Sequence, residues 1–137
     1  METALRAGVA GIGPTAPAAP ASGVPYTGTG QVVLNAAGAG TATVFCPGMD
    51  WVIDSRSVSI AGATASGATA QEFLNGVSDI RYLQGTYDAA SDSSGRRQLL
   101  QPGDVIYVVF AAGPPGAGAI FRASGLVYPA GQGRAHL

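Results

Sequence analysis

Residues 102–121 read PGDVIYVVFAAGPPGAGAIF. Pro102-Gly103 suits a type II turn, because Pro presets φ at the second turn residue and Gly accepts positive φ at the third. Val105–Ala111 is a run of β-formers, apolar on both parities, so both of its faces are expected to be covered. GPPGAG then reverses direction and Ala119–Val127 returns, the pattern of a hairpin. Arg122 interrupts the return strand and marks either its wet face or a partner contact.

The same grammar extends towards the N-terminus. QVVLN predicts a strand around Gln31–Asn35. GTATVFC predicts another, with Thr41, Thr43 and Phe45 on one face and Val44 and Cys46 on the other. Pro47-Gly48 ends it. Asp50–Ala61 is the longest candidate strand, and its apolar phase changes: Trp51 and Ile53 are odd, Val58 and Ile60 even. A regular strand cannot bury both pairs on one face. A bulge near Asp54–Ser57, or a crossing between sheets there, reconciles them. Ala70–Leu74 reads as a strand or one helical turn. Arg81–Gln84 lies near a strand, with a bend at Gly85, and residues 88–98 form a polar loop before Leu99-Leu100. With about seven short strands and no sustained 3.6-residue period, the fold class is all-β: a single β-sandwich or jelly-roll-like domain over residues 29–129.

Two flanking segments differ from this body. Residues 1–28 carry four of the nine prolines, Pro14, Pro17, Pro20 and Pro25, and few large side chains. Proline removes donors and fixes φ, so this stretch is expected to be an extended arm, unstructured or laid across a partner. Residues 130–137 are expected to fray.

Composition narrows the function. The 137 residues carry a formal charge of −1 and only 11% are charged, so no basic field exists to gather phosphates or anionic lipid. No nucleic-acid or membrane partner is expected. No apolar run reaches the length of a membrane span, and the thin, Gly-broken N-terminal run is a poor signal peptide. All seven cations are Arg, with none of them Lys, a bias of GC-rich coding.

Reactive constellations are equally scarce. Cys46 stands alone, so no intramolecular disulfide can form; between Phe45 and Pro47 it reads as a small buried hydrophobe. His136 is the one histidine, so His/Cys metal clusters are excluded. Asp88 and Asp92, among serines, resemble a calcium loop only loosely, without the alternate acids and closing Glu of an EF-hand. Gly62–Gly67 does not match a nucleophile elbow, and no Gly-rich stretch is followed by the Lys of a phosphate loop. No catalytic, cofactor-binding or metal residue is expected, nor a small-molecule substrate. Trp51 reads as core, while Tyr26, Tyr82, Tyr87 and Tyr128 read as interface anchors or a sugar platform.

From Val58 to Gly125 a wider pattern emerges. GTYDAASDSSG (Gly85–Tyr87, Asp92–Ser94) precedes the Pro102–Gly103 turn, a strand ending in Val109–Phe110, and PGAGA at Pro115–Ala119. This resembles small β-sandwich proteins encoded among the virion structural genes of tailed bacteriophages of actinobacterial hosts. The likeness covers about half the chain and rests on turn-and-strand motifs. It implies a non-enzymatic virion component, a capsid decoration protein whose partners are the major capsid protein lattice and other copies of itself. Pro14, Pro17, Pro20, Pro25, Tyr26, Tyr87 and Arg122 are the candidate contacts. A minor tail or neck protein of the same particle is the nearest alternative. A secreted carbohydrate-binding sandwich is the rival of another class.

Overall fold

A computed structural model describes residues 22–62, 67–88 and 91–137. These form nine strands: β1 (Val24–Val33), β2 (Gly40–Phe45), β3 (Asp50–Ile60), β4 (Thr69–Leu74), β5 (Tyr82–Asp88), β6 (Ser91–Ser94), β7 (Gln98–Leu100), β8 (Val105–Ala111) and β9 (Gly118–Tyr128). Single 3-10 turns occupy Asp79–Arg81 and Gly133–His136. One sheet has the order β1-β9-β3, with β6 and β7 sharing the far edge of β3; the other has the order β2-β8-β4-β5. Every pairing is antiparallel, and the two sheets pack as a β-sandwich.

The phase change in β3 is a bulge. Its register against β9 slips between Ile53 and Ser55, which leaves Asp54 as the extra residue. Trp51 and Ile53 before the slip, and Val58 and Ile60 after it, all face the core. Gly125 sits opposite Ile53, and a Cβ on it would fall inside the van der Waals envelope of the Val52 carbonyl oxygen. The bulge therefore depends on glycine at that position.

The PGDVIYVVFAAGPPGAGAIF stretch is not a hairpin. Its strands β8 and β9 lie in different sheets, so GPPGAG is an arch between layers. Pro114 and Pro115 have no N–H to offer a ladder. The turn bonds instead to the β1–β2 connection: Gly113 N–H donates to the Gly38 carbonyl at 2.9 Å and Gly116 N–H to that of Leu34 at 2.9 Å. β8 sends Ile106, Val108 and Phe110 into the core, while β9 sends Ala119, Phe121 and Ala123 into it from the facing layer. Two strands on opposite sides of one core satisfy the apolar pattern as well as a hairpin would.

Three other expectations change. Val24–Gly28, read as part of the arm, begins β1, which pairs with β9 from Val24↔Val127 to Val33↔Gly118. Pro25 is accommodated because β1 is an edge strand, where a missing donor can face outward. Gly28 and Gly30 let β1 approach β2; a Cβ on Gly30 would lie 2.7 Å from the Thr43 carbonyl oxygen. The polar segment 88–98 contributes β6, whose Ser91–Ser94 pair with Ser59–Arg56 of β3, and β5 runs through Gly85 without ending. Residues 130–137 do not fray: Gly133 N–H donates to Asp50 Oδ2 at 2.9 Å, Tyr128 stacks on His136 at 3.9 Å, and Arg97 donates to the His136 carbonyl. A buried carboxylate on β3 needs a donor, and the C-terminal turn supplies it.

Candidate functional site

The chemically richest cluster is sealed. Arg56 follows the bulge on β3 and points inward with Val58 and Ile60. Its Nε lies 3.2 Å from Oε1 of Glu72 on β4, with both side chains fully buried. Nη1 donates to the Arg96 carbonyl at 2.8 Å and Nη2 to Gln98 Oε1 at 3.1 Å. This pair joins the two sheets and the β6–β7 link, and a substrate cannot touch it. The sequence did carry a signal for it: the single cation within the longest strand, on the inner parity that resumes after the bulge.

Cys46 is buried at the end of β2, and its Sγ donates to the Met49 carbonyl. Burial, then the carboxylates of Asp104 and Asp50, push its thiol up to about 11. A neutral thiol is a poor nucleophile. Among the described residues no group of three or more His, Cys, Asp or Glu side chains is placed to hold a metal ion. Asp92 Oδ1 accepts from the Ser93 N–H, and the Asp88 side chain lies outside the described residues.

The two outer sheet faces differ in chemistry. On the five-stranded sheet the register aligns Thr29, Arg122, Ser57 and Ser93 in one row, and Gln31, Ile120 and Ser59 in the next. Thr27 and Ser124 share a hydrogen bond of 2.9 Å in the row on the other side. Arg122 is exposed at the centre of this hydroxyl-rich face, on the outer parity of β9. At the end of the same sheet Val32, Val33, Gly118 and Ile120 border an open apolar hollow of about 290 Å³.

The outer face of the four-stranded sheet is apolar. One row reads Thr43, Tyr107, Phe73 and Tyr82 across β2, β8, β4 and β5, with Phe45 and Val105 beyond it towards one end. Phe45 is 67% exposed and Tyr82 42% exposed, and the Phe73 and Tyr82 rings meet edge-on at 5.5 Å. Thr41, Val109 and Gln71 form the next row, then Ala111 and Thr69. No described side chain on this face is charged. β8 was expected to be covered on both sides; instead Val105, Tyr107, Val109 and Ala111 are only half-buried. The apolar parity that forms the core and the one that faces outward are both present in VIYVVFA, but a two-layer sandwich covers one of them.

The candidate contacts divide accordingly. Pro25 and Arg122 share the outer face of the five-stranded sheet. Tyr26 points inward and packs edge-on against Trp51 at 5.1 Å. Trp51 itself is fully buried, which removes it from any sugar platform. Tyr87 lies on β5 opposite Ala70, with its side chain outside the described residues, as are Pro14, Pro17 and Pro20 altogether. Sequence reading missed Phe45 and Tyr107 as surface residues, because aromatics within β-runs are usually core. No family model, curated protein or solved structure matches the chain.

Proposed function

We propose that this protein is a non-enzymatic structural component of a tailed-bacteriophage particle, a decoration protein bound to the outer surface of the head. The observation that carries a structural role is the aromatic end of the β2-β8-β4-β5 sheet's outer face, on which no described side chain is charged. A contiguous exposed apolar patch marks a protein contact more often than a solvated surface. The opposite sheet offers hydroxyls and Arg122, a second face of different chemistry. A module with two dissimilar flat faces can bridge neighbours, and on a symmetric shell repetition makes individually weak contacts sufficient. The choice of particle rests on the likeness of GTY…DSS and AGPPGAGA to phage virion sandwiches.

The test is copy number per purified particle from the source phage, by quantitative mass spectrometry. A number comparable with the major shell protein supports decoration of the head. A few copies per particle moves the protein to the neck or tail, and absence from particles overturns the virion reading.

A further inference from the structure

We infer that the outer face of the four-stranded sheet is the contact between two copies of this chain, related by a two-fold axis. The inference rests on reading that face as a protein contact and is independent of the virion assignment. Its first support is chemical. The face presents Phe45, Val105, Tyr107 and Tyr82 around the buried Phe73, with no described charge, so its occupant must be uncharged as well. The chain's other sheet face carries Arg122 at its centre, a charge that would lose its water without gaining a partner if pressed against it. The face that matches is the same face on another copy.

The second support is shape. The aromatic side chains occupy one half of the face, at the end of the sheet where β2 finishes and β8 begins. The other half holds Thr41, Val109, Gln71, Thr69 and Ala111, which are shorter. A two-fold axis lying in the plane between the two sheets, perpendicular to the strands, lays the tall half of each copy over the low half of its partner. An isologous contact needs this self-complementarity. Two twisted sheets meet face to face about 10 Å apart, with strands about 30° from parallel.

The third support is size. Four strands about 4.8 Å apart and about 20 Å long give a flat footprint of roughly 400 Å² per copy. With side-chain relief a pair would bury about 1,000–1,200 Å² in total, at the lower end of specific interfaces. Val77 and Ile80, 55% and 89% exposed on the link between β4 and β5, stand where they can extend its rim. The contact is therefore large enough to be specific and small enough to be reversible.

Sedimentation velocity of the full chain across a concentration series tests this, together with Phe45→Glu. Phe45 is already exposed on an edge strand, so the substitution should leave circular dichroism and the melting temperature unchanged. The expected result is a concentration-dependent dimer whose dissociation constant rises at least about tenfold in the variant. Gln71→Cys, near the centre of the face, should form an intermolecular disulfide under mild oxidation, and Ser57→Cys on the opposite sheet should not. A wild-type chain that stays monomeric overturns the inference, as does a dimer indifferent to Phe45→Glu. A monomer whose occupancy of particles falls on Phe45→Glu would overturn the two-fold contact while leaving the proposed function standing.

Discussion

Arg56 and Glu72 illustrate how much one buried contact can demand of its neighbours. Two charges removed from water cost several kcal/mol each, and mutual attraction offsets this only when further hydrogen bonds complete the site. Arg96 and Gln98 supply them from the β6–β7 link. Arg56→Met alone strands the Glu72 carboxylate in the core and should destabilise the protein by about 3–5 kcal/mol. The double variant Arg56→Met/Glu72→Leu should be more stable than that single variant, and a double-mutant cycle in urea measures the difference. Equal destabilisation would mean that the pair holds the sheets in a geometry apolar side chains cannot. Cys46 makes a simpler case. With its thiol pushed up to about 11 from 9.0, it remains protonated where an unfolded chain would ionise. Its contribution to stability is complete below about 9 and is lost as pH rises towards about 11. Alkylation of the native protein at pH 8 should be far slower than in urea, and thiol titration with a chromogenic disulfide reads both rates.

Among the elements, β3 and β9 define the five-stranded sheet, and the bulge between them lets one strand bury Trp51 and Ile53 as well as Val58 and Ile60. Gly125→Ala forces a methyl group against the Val52 carbonyl, so it should cost about 2–3 kcal/mol of unfolding free energy. A denaturation midpoint unchanged from wild type would show that the bulge can relax at no cost. The phase shift was legible because alternation is a local signal: four apolar residues on two parities admit few solutions. β2 was legible for the same reason and β8 as an unbroken run of β-formers between two turns, and the observed bounds of β8 coincide with the Val105–Ala111 run. The arch was not legible, since a turn sequence does not say whether the returning strand joins the same sheet or the facing one. That choice depends on Gly38 and Leu34, some 75 residues earlier, which accept the turn's hydrogen bonds. β6 was hidden by its composition, SDSS, because its pairing to β3 comes from position and not from propensity.

Across the whole molecule, the two sheet faces present different chemistry to two sides. β1 begins at Val24, at the end of the sandwich where Phe45 finishes β2 and Val105 starts β8. Residues 1–21, which hold Pro14, Pro17 and Pro20, precede β1 in the sequence and lie outside the described residues. Deleting them should leave the thermal transition of the sandwich within about 2 °C of wild type and reduce occupancy on particles. Extending the deletion through Gly28 should unfold the protein, because it removes half of β1. Differential scanning calorimetry separates the two truncations, and a fall in melting temperature for the shorter one would make the segment part of the fold. The surface contacts were the least legible part of the candidate site. Arg122 was readable as a break in an apolar strand, whereas Phe45 and Tyr107 were indistinguishable from core aromatics until the sheet's covered side was known.

The pairing of the first strand with the last has a temporal consequence. β9 is the inner strand of its sheet, flanked by β1 and β3, and both neighbours are synthesised before it. Until Gly118–Tyr128 has left the ribosome, β1 has no ladder partner and β3 lacks its longest one. The nascent chain therefore carries one unpaired and one partly paired long strand until synthesis of β9, and closing the sheet requires contacts from Val24 to Val127. Folding of this kind is slow and exposes the chain to aggregation while it waits. Ribosome stalling just before Gly118 should trap a protease-sensitive chain.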